Sequence, residues 1–177
     1  NPAEFYMPAT DAATGRAAYF SKYDIIRDDY HTVMATCALP GFCRPVKVGD
    51  RYYYDGGVAD SIPLHHAIEH GCTKMVVILS NPRDFVKKPE AHRPLYKHML
   101  HKYPKTIQSI DNRHINYQAS IDLASRLEKE GYVFIFAPSR HMPLSTFSKD
   151  AALEQDLYDL GVADYEARAE ELKHFLN

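Results

Sequence analysis

Apolar residues along this chain twice spell the same phrase: a helix-spaced stripe, a glycine, then a short unbroken apolar run. In the first, Leu64, Ala67 and Ile68 mark one face of a helix, Gly71 ends it, and MVVIL (75–79) follows. Asp60 or Ser61 suits the cap, and Pro63 suits a first turn, where a missing N–H costs no hydrogen bond. MVVIL is β-branched and continuous, the pattern of a strand buried on both faces. In the second, Tyr117, Ile121, Ala124 and Leu127 carry the stripe, Gly131 stops it, and YVFIFAP (132–138) is the strand. Two helix-then-strand units predict an α/β fold with a mainly parallel sheet flanked by helices.

The front of the chain is patterned differently. EFYMPAT (4–10) and RAAYF (16–20) are short strands around a turn-rich link, and Ile25–Ala38 is a short helix ending before Leu39-Pro40-Gly41. FCRPVKVGDRYYYDGG (42–57) predicts a hairpin with Gly49-Asp50 at its tip. Asp55 then emerges at a strand end, before a loop entering a capped helix, at the edge where open α/β sheets collect ligands. The tail from Ser148 to Leu176 predicts two helices broken at Gly161, with Ser148 as cap and Leu153, Leu157 and Leu160 as one stripe.

Length and composition narrow the class. The 177 residues suit a single domain (1–177) with its own core; apolar content is 45% and charged content 25%, as in ordinary globular proteins. A net charge of −2 removes any global attraction to nucleic acid. Three cysteines, Cys37, Cys43 and Cys72, include no CxxC pair and suit free thiols in a reducing, cytoplasmic setting. No apolar run approaches the roughly 18 residues that cross a bilayer. The first residue is Asn1 and the chain opens into a strand, so an upstream segment is expected.

Asp55-Gly56-Gly57 on its own is a turn signal. Its surroundings add more. Thr10–Gly15 reads T-D-x-x-T-G, Ala35–Phe42 reads A-[ST]-x-[AS]-x-P-x-[FI], Tyr53–Gly57 reads Y-x-D-G-G, and Pro63–Gly71 reads P-[LV]-x-x-A-x-x-x-G. This succession resembles the catalytic domain of bacterial-type patatin-like phospholipases, in its C-terminal part, and the tail is similar to the end of that domain. The resemblance implies a three-layer α/β/α fold and a lipid acyl hydrolase, phospholipase or esterase, using a serine–aspartate dyad. It assigns Asp55 as the dyad base and Gly56 and Gly57 to the motif loop, with no cofactor and no metal. Its substrate is a lipid ester, met in the cytoplasm or peripherally at a membrane.

The chemistry fits those residue types. A serine hydroxyl is a poor nucleophile until a base takes its proton, and without a histidine between them the carboxylate must reach it directly. Yet no pair of the eight glycines frames a serine as G-x-S-x-G, and there is no three-glycine loop. The chain is therefore expected to hold the base without nucleophile or oxyanion donors, and to be inactive alone. Ser61 reads better as a cap than as a substitute nucleophile, and Cys37 as a buried, inert thiol. His65 and His66 point in different directions on a helix, and His98 and His101 share a face without an acid or thiol at ligand spacing beside them, so the histidines read as surface residues. A competing reading rests on residues 83–114, where eight Lys or Arg face three acids. That stretch reads first as a solvated amphipathic helix with a loop; its functional readings are a lid or lipid landing surface, or a non-catalytic α/β module binding an acidic partner or membrane.

Overall fold

The computed structural model describes residues 2–143 and 149–177. The chain divides into two compact units, residues 1–63 with 87–120 and residues 64–86 with 121–177.

The first unit is built on a four-stranded sheet. Strands β1 (Tyr6–Asp11), β2 (Ala17–Ser21), β3 (Val46–Val48) and β4 (Arg51–Asp55) lie in the order β2-β1-β4-β3. Every pairing is antiparallel, with Ala9 opposite Asp55 and Val46 opposite Tyr53. The expectation of a mainly parallel sheet is corrected here. The links β1–β2 and β3–β4 are far too short for the crossover that parallel neighbours require. The hairpin at Gly49-Asp50 forms as expected, Gly49 taking φ +61°.

Helix α1 (His31–Thr36) is shorter than the expected Ile25–Ala38, because Asp28 takes φ +63° before it. It packs on β1, β3 and β4. Strand alternation then sends the two central tyrosines to opposite faces. Tyr53 joins Ala9 and Ala35, with Phe20 edge-on at 5.0 Å. Tyr54 joins Ala12, Val58, Leu100, Ile107 and Ile110. The last three come from around helices α3 (Arg93–Met99) and α4 (Pro104–Lys129). The region at residues 83–114 is thus largely helical, and α4 begins at Pro104, well before the stripe that opens at Tyr117.

The second unit holds the one parallel pair of strands among the described residues; the first has a single isolated parallel bridge, Pro40 to Cys43. Strand β5 (Met75–Ile78), which follows helix α2 (Leu64–Glu69), pairs with β6 (Val133–Phe136) in register Met75 to Val133. A long helical connection separates them in sequence, which is what a parallel pair needs. Gly131, at φ +83°, ends α4 just before β6. The expected double burial of MVVIL is corrected: Met75 and Val77 are buried, whereas Val76 and Ile78 are 40% and 79% exposed.

The tail is one helix, α5 (Ala151–Leu176), rather than two broken at Gly161. A mid-helix glycine costs about 1 kcal/mol relative to alanine, too little to break a helix held by side-chain packing. Phe175 meets Phe134 at 5.7 Å, Tyr165 meets Phe136 at 6.1 Å, and the Arg168 guanidinium lies 4.4 Å from the Phe134 ring centre. The cap is Asp150, whose carboxylate accepts from the Ala152 and Leu153 N–H groups. Ser148, expected in that role, lies outside the described residues.

Candidate active-site loop

Asp55 is the last residue of β4, half-buried, and its backbone is tied on both sides. Its N–H donates to Ala38 O at 2.9 Å, and its carbonyl accepts from the Thr10 hydroxyl at 2.8 Å. The Thr10 hydroxyl also accepts from the Ala59 N–H at 3.2 Å, so one fully buried side chain bridges the two ends of the Asp55–Ala59 turn. The Ala35–Phe42 segment is thereby brought to the acid through Ala38.

The carboxylate itself is held by the glycines that follow. Gly56–Val58 form a single 3-10 turn, and the Gly57 N–H donates to Asp55 Oδ1 at 2.7 Å. Among the described residues no other group hydrogen-bonds or ion-pairs with this carboxylate, which leaves Oδ2 open. The carboxylate is thus oriented through one oxygen.

The two glycines have separate reasons to be glycine. A Cβ on Gly56 would land on the Pro8 carbonyl, so β1 backbone packs directly against this residue. A Cβ on Gly57 would lie 3.0 Å from Asp55 Oδ1 and 3.4 Å from Arg113 Nη2.

Beside this loop sits the turn Asp11–Gly15. Asp11 Oδ1 accepts from the Ala13 and Thr14 N–H groups and the Thr14 hydroxyl, and Arg51 Nη1 stands 3.1 Å from Oδ2. Burial pushes the Asp11 carboxyl up, but these donors together hold it below the usual range. Its ligands are all internal, so this motif acid builds the turn. Tyr54 is buried behind it, and desolvation raises its hydroxyl to about 12. It is a packing residue at any ordinary pH.

The other candidates separate. Ser61 lies near the loop, but its hydroxyl donates to Gly57 O at 2.7 Å, and Asp60 accepts from the Tyr19 hydroxyl. Both side chains expected to cap α2 are therefore engaged elsewhere. Cys37 is exposed, contrary to the buried thiol expected; Cys43 and Cys72 are exposed too. Among the described residues no group of three or more His, Cys, Asp or Glu converges as metal ligands. The basic stretch is partly consumed within the fold. Arg83 pairs with Glu128, Arg93 with Asp111, and both Lys87 and Arg113 with Glu90. Four of its eight cations thus stand in ion pairs with three acids, Lys87 and Arg113 sharing Glu90. No described helix is long and apolar enough to cross a membrane.

Arg113 is the residue that sequence patterning passed over. Its Nε donates to Gly57 O at 2.6 Å and its Nη1 to Glu90 at 2.9 Å. The available signal was Pro104, a residue favoured at a helix start. A helix beginning there puts Thr106, Ser109 and Arg113 on one face.

Comparison with known families finds two separate matches in the chain. Residues 17–68 match the patatin-like phospholipase family, and residues 103–177 match a domain of unknown function, DUF6363. The patatin-like match takes in Asp55-Gly56-Gly57. It lies in the N-terminal half of this chain, so the expectation that the whole chain is the C-terminal part of that catalytic domain is not borne out. The tail, expected to be the end of the same domain, matches the other family instead. No curated protein matches the chain.

Proposed function

We propose that this chain supplies the general base of a lipid acyl hydrolase, with Asp55 as the acid of a serine–aspartate dyad. The observation that carries this is the Asp55 carboxylate inside the patatin-like segment. It stands half-buried at a strand end, one oxygen fixed by the Gly57 N–H and the other open. The nucleophilic serine and the oxyanion donors would be supplied from outside these 177 residues, which hold no G-x-S-x-G. In the acylation step Asp55 takes the serine proton as the hydroxyl attacks the ester carbonyl, and that proton passes to the departing alcohol. In deacylation Asp55 activates a water in the same way. Gly56 and Gly57 shape the loop, and no metal or organic cofactor takes part. The substrate class is a lipid carboxylic ester.

The test is Asp55→Asn in the longer protein, assayed on a fatty-acyl nitrophenyl ester and on phosphatidylcholine vesicles. Loss of the general base should lower kcat by roughly 10²- to 10⁴-fold. A natively folded Asp55→Asn protein with unchanged kcat on both substrates removes the assignment.

A further inference from the structure

We infer that Arg113 is a positioning residue for Asp55, and that the opening turns of the 103–177 region act as a clamp on the Asp-Gly-Gly loop. The catalytic part of this inference rests on Asp55 being the base; the clamp itself rests on geometry alone.

Three side chains at i, i+3 and i+7 on α4 each donate to a backbone carbonyl in the two neighbouring loops. Thr106 donates to Ala12 O at 2.8 Å and Ser109 to Gly15 O at 2.7 Å. Arg113 completes the row on Gly57 O. The spacing puts all three on one helix face. The first two dock the helix on the Asp11–Gly15 turn. The third reaches the residue that orients the candidate base.

Gly57 is the hinge of this arrangement. Its N–H holds Asp55 Oδ1, while its carbonyl accepts from both Arg113 Nε and the Ser61 hydroxyl. Glycine restricts its own φ and ψ very little, so the direction of that N–H depends on what holds the neighbouring carbonyl. A guanidinium supplies a charge-assisted hydrogen bond, about twice as strong as a neutral one, from a planar fork. The fork is braced in turn by Glu90, whose carboxylate also lies 3.8 Å from Lys87 Nζ. A dyad has no histidine to absorb misalignment, so movement of the carboxylate is felt directly in the proton transfer.

The experiment uses the full-length protein and four variants: Arg113→Gln, Arg113→Lys, Ser109→Ala and Asp55→Asn. Arg113→Gln should lower kcat by about 10- to 100-fold with KM within about twofold, the mark of an interaction lost in the transition state. Active sites counted by a serine-directed covalent probe should remain one per chain. Arg113→Lys should recover part of the loss, since one donor can still reach Gly57 O. Ser109→Ala should lower Tm while kcat per active site stays within about twofold. An Arg113→Gln enzyme with unchanged kcat, or a Ser109→Ala enzyme with the same loss, overturns the positioning role. Amide exchange at Gly57 separates this from the dyad assignment. It should accelerate in Arg113→Gln and, if that variant does not fold, to a smaller extent in Arg113→Lys. Should Asp55→Asn prove active, the dyad reading falls while faster Gly57 exchange still supports the clamp. Unchanged exchange at Gly57 overturns the clamp whatever the activity.

Discussion

The two units hold themselves together by different means. In the first, backbone packs against backbone and buried polar groups tie loops to each other. Thr10, Asp11 and Thr106 are buried, and each spends its side-chain oxygen on a backbone partner far away or around a tight turn. In the second, aromatic rings and a guanidinium stack between β6 and α5, α5 has no fully buried residue, and an apolar groove of about 310 Å³ remains between the strand ends and that helix. Close backbone packing leaves little freedom in residue type; side-chain stacking leaves much more. The candidate base lies in the unit that tolerates least, as preorganised chemistry requires.

The same substitution in each unit is the sharpest way to break that comparison. Gly56→Ala puts a methyl group on the Pro8 carbonyl, where only backbone movement makes room. It should destabilise by about 3 kcal/mol or more, read by urea unfolding. A cost under about 1 kcal/mol would mean that the strands are less tightly packed than described.

Acid should act next on the second unit. Arg83 holds the Glu128 carboxyl below its usual value; burial opposes this, and the Ile135 N–H adds to the lowering. A depressed folded-state value means stability is present above the ordinary glutamate range and is lost as pH falls through the folded value. Thermal unfolding between pH 6 and 3 should show that loss, and Glu128→Gln should flatten it. An unaltered acid slope in Glu128→Gln would show that the Arg83 pair contributes nothing.

The smallest effect has the opposite sign. Gly161→Ala enters open space in the middle of α5, where among the described residues nothing beyond its own stretch of helix comes within 4 Å of the added methyl. It should raise stability by roughly 0.5–1 kcal/mol. Destabilisation there would show that α5 needs its glycine and that the two units are not so different.

How far the sequence could be read follows the same division. Local signals gave reliable elements where they act within one turn or hairpin: Gly49-Asp50, the stops at Gly71 and Gly131, and the strands around MVVI and VFIF. They failed where a neighbour decides. Gly161 looks like a break because its local cost is visible, whereas the packing that overrides it comes from Phe134 and Phe136 in another segment. The start of α4 is hidden because the apolar stripe opens only at Tyr117, 13 residues after the proline at 104, and Arg113 lies between them. Strand direction was misjudged because the two helix-then-strand units, only one pair of strands, were extended to a sheet made mostly from the front of the chain.

The sequence by itself placed Asp55 at a strand end, followed by two glycines, because alternation, turn chemistry and motif spacing are all local. Tertiary structure alone decided why those glycines are there and what holds the acid. Pro8 forbids a side chain at 56, and Arg113, 58 residues beyond Asp55 in the chain, fixes the carbonyl next to it. Such contacts join segments far apart in the chain, and no local periodicity encodes them.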